Sequence, residues 1–200
     1  LNNTIEKIIS GNYTLHATDV FYDLSKYTVM PGLIDMHVHV EHQTSAKQYL
    51  EEFTLNEADV AFRAVGYVKT TLNSGFTSVR DLGGTGVNIS LRNAIDSGLI
   101  EGPRIFTAGK SIASTGGHAD PTNGYRQDLM GNPGPEDGVA NGVDECVKAV
   151  RQRYKDGSDC IKITASGGVL SVAKSGENSQ FTIEEIQTIV ATAKDYGFKV

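Results

Sequence analysis

Val29-Met30-Pro31-Gly32-Leu33-Ile34-Asp35-Met36-His37-Val38-His39 decides the fold. Pro31-Gly32 is punctuation, and Leu33 to Val40 is rich in branched apolar residues, as a strand buried on both faces should be. Side chains alternate along a strand, so His37 and His39 point to the same face. Their Cα atoms then lie about 7 Å apart, within reach of one ion. They stand at the C-terminal end of the strand, where parallel α/β folds place their active sites. His-X-His alone is a weak signal, and two polar residues at a strand end are the plain alternative. Burying two histidines there without a partner would be costly, which favours a metal site.

Downstream of this strand a unit repeats: helix, glycine, short strand. Ala61, Val65, Val68 and Leu72 form a helical stripe closed by Asn73-Ser74-Gly75, and Phe76-Thr77-Ser78-Val79 is the next strand. A shorter helix over about Asn88–Ser97 stops at Gly98 and gives way to Arg104–Ala108. The Gly/Pro/Asn-rich stretch Gly109–Gly142 is long enough to be functional or a lid. Val143, Val147, Val150 and Tyr154 mark a helix ending at Gly157, before the strand Cys160–Thr164. Thr182 with Glu185 is a capping box, Ile186, Ile189, Val190 and Ala193 share one face, and Phe198–Val200 opens a fifth strand after Gly197. Strands separated by helices imply parallel pairing. Two architectures fit, an open doubly wound sheet and a (β/α)8 barrel. A barrel takes about 250 residues, so this chain of 200 would hold its first half and read as a fragment. Upstream, Thr14–Ala17 and Val20–Tyr22 read as short strands.

Composition narrows the class. With 18 Lys/Arg against 24 Asp/Glu the net charge is −6, which argues against nucleic acid or an anionic membrane as the main partner. No apolar run is long enough for a transmembrane helix. No signal peptide is visible after the opening Leu1, and the compartment, periplasm or cytoplasm, is not readable. Cys146 and Cys160 have no Cys or His two to four residues away, so both read as small core residues.

Lys162 is flanked by Ile161 and Ile163. A lysine inside a strand is expensive unless paired or neutralised. It forms either a salt bridge to a buried acid or, kept neutral, a carbamate with carbon dioxide. Such a carbamate is a carboxylate on a long arm, able to bridge two metal ions about 3.5–4 Å apart. The glycines of Thr164-Ala165-Ser166-Gly167-Gly168 let backbone approach closely.

The strand Val29–His39, with Thr77-Ser78-Val79-Arg80-Asp81-Leu82-Gly83-Gly84, Ser114-Thr115-Gly116-Gly117-His118 and Lys162–Gly168, resembles the amidohydrolase superfamily, in the branch of imidazolonepropionase-like proteins and zinc-dependent Xaa-Pro dipeptidases. The resemblance runs from Val29 to the end. It implies an α/β fold, the first half of a (β/α)8 TIM-type barrel over residues 31–200, preceded over 1–30 by part of a small β-sandwich. It implies a site of two zinc ions, with His37, His39 and carboxylated Lys162 as the ligands that fall within this chain. The remaining ligands, two histidines and an aspartate that also shuttles the proton, have no counterpart here. The implied activity is hydrolysis of peptide or amide C–N bonds of a small dipeptide, Xaa-Pro or hydrophobic, by a metal-bridging hydroxide. A homo-oligomer is expected. The implied role of His118 is to hydrogen-bond the substrate and help stabilise the developing oxyanion; the bare alternative is a solvated loop histidine. Tyr125 and Arg126 could hold a substrate carboxylate, Arg bidentately, or be simple surface residues.

Plainer readings attach to other residues. Arg80-Asp81 is expected to be an ion pair bracing a loop, His42 a solvated loop histidine or a group behind the ligands, and His16 structural. Gly83-Gly84-Thr85-Gly86 lacks the spacing of a phosphate-binding turn. Two rivals remain: a cyclic-amide hydrolase of the imidazolonepropionase type, which needs no lysine carbamate, and a doubly wound binding module holding a polar ligand at Ser166-Gly167-Gly168 without catalysis.

Overall fold

Parallel strands joined by helices are what the repeating pattern demands, and the computed structural model, which describes residues 4–168 and 174–200, has them. Strands β1 (Leu33–Val38), β2 (Phe76–Asp81) and β3 (Arg104–Thr107) form a parallel sheet in that order. Val38 pairs with Asp81 and Asp81 with Thr107. Helices α1 (Gln48–Thr54) and α2 (Glu57–Asn73) connect β1 to β2, and α3 (Val87–Asp96) connects β2 to β3. The short α4 (Gln127–Met130) lies within the long Gly/Pro-rich stretch, and α5 (Gly142–Asp156) and α6 (Ile183–Asp195) follow. The chain divides into two compact units, Leu1–Pro31 and Gly32–Val200.

Helix ends fall where local chemistry puts them. Gly75 and Gly157 take the left-handed conformation just past α2 and α5, at φ +94° and +90°. The capping box at Thr182 forms: its hydroxyl accepts from the Glu185 N–H while the Glu185 carboxylate takes the Thr182 N–H.

Two apolar clusters carry the barrel unit. Val40, Ala64, Val68, Val79, Leu91 and Ile105 seal α2 and α3 onto β2 and β3. Ile112, Cys146, Ala149, Val150, Ile161, Ile189 and Ala193 seal α5 and α6 onto the segment around Ile161. Both cysteines are buried and free. Burial, chiefly, pushes each thiol up to about 11. The folded protein is therefore expected to show no fast thiol reaction with a disulfide reagent at about pH 8, and two reactive thiols once unfolded; a rapid native reaction would show that these sites open.

Several expectations need correcting. The inward face of α5 is Cys146, Ala149, Val150 and Arg153, whereas Val143 and Tyr154 are exposed. Small residues let the helices approach, and Tyr154 instead packs against the Tyr196 ring, with ring centres 4.7 Å apart and planes tilted by 48°. Cys160–Thr164 and Phe198–Val200 are not continuous strands. They are stitched singly: Asp159 N–H to Thr107 O, Ile112 N–H to Lys162 O, Thr164 N–H to Ile112 O, and Ile161 N–H to Lys199 O. These bonds extend the order of the sheet without completing its ladder. No strand forms among residues 4–31. Residues 14–16 and 20–22 join no ladder, with turns tied to Asp19 and Asp23 beside them, because a short extended segment without a paired edge is not stable alone. Finally, β1 is not buried on both faces: Ile34 and Met36 are exposed, since β1 is an edge of the described sheet and nothing described covers its far flank.

Candidate metal and catalytic site

His37 lies on β1 and His39 just past its end. Their rings meet edge to face with centres 5.5 Å apart. Both side chains are exposed rather than buried, so the cost of burial is not what identifies them. What identifies them is how they are held. The Nδ1 of His39 lies 2.8 Å from the Gly83 carbonyl oxygen. A carbonyl only accepts, so Nδ1 carries the proton, and in the neutral form of the ring the lone pair is then on Nε2. Metal-binding imidazoles are commonly oriented by such a bond at the other nitrogen. His42 stacks on His39 at 5.7 Å, and partial desolvation together with the His39 charge lowers its pKa.

Lys162 faces the same space. Partial desolvation, then the charges of Lys162, His39 and Arg80, push the His37 imidazole below its ordinary value. Desolvation and then Arg80 push the Lys162 amine down in turn. Lys162 is half-buried, and among the described residues no carboxylate forms an ion pair with it, so the salt bridge that would have explained it plainly is missing. Arg80 is no partner of Asp81 either. Consecutive strand residues point to opposite faces. Arg80 Nε donates to the Met36 carbonyl at 2.8 Å, while Asp81 turns inward and is fully buried. The expected ion pair is thus replaced by two separate roles.

Asp81 is the centre of a buried network that the sequence did not reveal. Its carboxylate accepts from Val40 N–H at 2.8 Å, Asn88 Nδ2 at 2.7 Å, Thr107 Oγ1 at 3.2 Å and Gly83 N–H at 3.3 Å. Burial raises its pKa, and the bonds from Val40, Asn88 and Gly83 pull the other way. Glu41 is also buried, and its carboxylate takes Thr85 N–H at 2.7 Å and Asn88 N–H at 2.6 Å. The Gly83–Gly86 turn does therefore receive an anion at a helix start, but the anion is the chain's own carboxylate. The available signal was an acid two residues beyond His39, ahead of a glycine-rich turn.

His118 sits against the loop that follows Lys162. A Cβ placed on Gly168 would lie 2.1 Å from its Cε1, so only glycine leaves room for the ring. Gln180, unnoticed in the sequence, holds this arrangement: its side chain accepts the His118 N–H at 2.8 Å and its own N–H donates to Ala165 O at 2.8 Å. Tyr125 and Arg126 are engaged elsewhere. The Tyr125 hydroxyl donates to Glu52 at 2.5 Å, and burial and that carboxylate push its pKa up to about 12. Arg126 forms a two-pronged pair with Asp128 at 2.5 and 2.8 Å.

Among the described residues no three His, Cys, Asp or Glu side chains are placed to hold a metal together. The donor set that does converge is two imidazoles and one amine. It fits a metal as a partial set: His39 offers a preset lone pair, His37 stands beside it, and Lys162 has no carboxylate partner among the described residues.

The amidohydrolase family model matches residues 28–200. Ochratoxinase from Aspergillus niger is 32% identical over 177 residues, 82% of this chain and 36% of that protein. Among solved structures, a Xaa-Pro dipeptidase with methionine bound in its active site is 54% identical, with a TM-score of 0.76, covering 84% of this chain and 41% of that one. A prolidase complexed with N-methylphosphonate-L-proline is 35% identical, with a TM-score of 0.73 and the same coverage. The chain thus spans about two fifths of the length of these structures, and its parallel α/β units correspond to the N-terminal part of their barrels. No helix among the described residues is long and apolar enough to cross a membrane. The family match, over residues 28–200, leads to one conclusion: the chain belongs to the amidohydrolase family.

Proposed function

We propose that this chain supplies the first part of a metal-dependent hydrolase of C–N bonds, acting on Xaa-Pro or hydrophobic dipeptides. One observation carries the reading: Lys162, without a carboxylate partner among the described residues, faces a histidine pair whose second ring is held with Nε2 outward. The likeness to an Xaa-Pro dipeptidase at 54% identity and to a prolidase at 35% supports the substrate class. His37, His39 and Lys162, carboxylated on Nζ, would hold the metal. When bound, zinc ions supply Lewis-acid polarisation of the scissile carbonyl and activate water. Zinc suits imidazole and carboxylate donors and needs no redox chemistry.

The chain's own residues do the rest. Carboxylation replaces a positive amine with a negative group beside Arg80, relieving repulsion among His37, Arg80 and Lys162 that would oppose any cation. His118, in the Gly109–Gly142 stretch and against the loop after Lys162, would donate to the substrate carbonyl as negative charge develops. Arg126 would take the substrate carboxylate only by exchanging it for Asp128, and Tyr125 only by leaving Glu52. In the intact protein, elemental analysis should find about two metal ions per chain, with cleavage of Xaa-Pro dipeptides lost on chelation. One ion and turnover of a cyclic amide would replace this reading with the imidazolonepropionase type. No ion and no turnover would leave a binding module.

A further inference from the structure

A metal-ligating imidazole works only if its ring is turned and its tautomer fixed before the ion arrives. His39 is exposed, so solvent alone would leave its ring free to rotate. Among the described residues the one hydrogen bond to its ring is with Gly83 O. That carbonyl belongs to a glycine at φ +148°, where an added Cβ would lie 2.4 Å from Ser111 Oγ. The peptide is therefore set by its surroundings rather than by a side chain of its own. The buried Asp81 grips both sides of the arrangement: one carboxylate oxygen holds the N–H of Val40, the residue after His39, and the other accepts from the N–H of Gly83 itself. Asn88 and Thr107 fix that second oxygen from behind. Asn88 in turn is pinned by Glu41 through its backbone N–H and by Gly109 O through its side chain.

We infer that Asp81 is a positioning residue, buried on the helix side of β2, that sets the ring orientation and Nδ1–H tautomer of His39 by holding Val40 N–H and Gly83 N–H in one carboxylate. The inference rests on the reading of His39 as a ligand only for its consequence on metal affinity. Its statement about the tautomer stands by itself. A carboxylate accepts from four donors here, and no neutral side chain can do the same. Asp81→Asn keeps the shape but turns a donor toward one of the N–H groups it should accept from.

The test uses the full chain. In metal-free protein, side-chain 15N spectra of His39 should show a dominant Nδ1–H tautomer, replaced in Asp81→Asn by a mixture weighted to Nε2–H. Zinc affinity, measured by competition with a chelating dye, should fall roughly 10- to 100-fold. Thr107→Val, which removes one donor to the same oxygen and keeps the fold's shape, serves should Asp81→Asn fail to fold. It should shift both readouts in the same direction by a smaller factor. A core variant outside the network, Ile189→Val, should move neither. A folded Asp81→Asn or Thr107→Val with the wild-type tautomer overturns the inference. A shifted tautomer with no zinc binding even in the wild type leaves the positioning intact and overturns the metal reading instead.

Discussion

Lys162→Ala is expected to abolish both metal retention and hydrolysis in the intact protein, with kcat/KM falling about a thousandfold. That is the scale of the several kcal/mol of transition-state stabilisation that a metal pair provides. The reason lies in what surrounds the residue. Its amine is half-buried, pushed below its ordinary pKa by desolvation and by Arg80, and unpaired with any described carboxylate. A structural lysine in this place would have an acid beside it, and its removal would cost stability rather than metal. A second readout separates the two roles. A short carboxylic acid added to Lys162→Ala should restore part of the metal content and activity, because it can occupy the vacated bridging position. Loss of activity with full metal occupancy, or unchanged activity, would contradict the bridging role.

Arg153→Ala is expected to give the largest loss of stability from a change away from the site, about 3 kcal/mol by urea or thermal unfolding. Arg153 is fully buried on α5. Its guanidinium donates to Glu136 O at 2.9 Å and Lys110 O at 3.4 Å and pairs with Asp156 at 3.1 Å. It thus ties the start and the end of the Gly109–Gly142 stretch to one helix. Truncation leaves two carbonyls without that donor and opens a cavity. Its Nε already lacks a partner, so the native site is not ideal, which holds the expected loss near the lower end for a broken buried pair. Hydrogen exchange should speed up first in residues 134–142, around Gly138, whose φ of +93° and 2.2 Å Cβ approach to Ser111 O leave no room to relax. Unchanged stability would show that the loop holds itself.

Local pattern explains which parts were legible in advance. The stripe on α2, the glycine stops after α2 and α5 and the capping box at Thr182 depend on residues three or four apart, which sequence displays directly. The strand position of His37 and His39 depends only on alternation. The face of α5 was misjudged because Cys146 and Ala149 carry a weak apolar signal and Arg153 a polar one. Which residues pack there is decided by how closely α6 approaches. The pairing of Arg80 with Asp81 was misread because adjacency in sequence means opposite faces in a strand.

From the sequence alone came β1, the alternation of α2, β2, α3 and β3, the helices α5 and α6, the parallel α/β class and the three side chains proposed to carry the site, because periodicity and residue chemistry are written locally. Tertiary structure alone decided what orients them. Asp81 meets Val40 and Asn88 across 41 and 7 residues, Glu41 meets Thr85 across 44, and His118 meets Gln180 across 62. A buried carboxylate must find its donors wherever folding brings them, and no spacing along the chain announces which those will be.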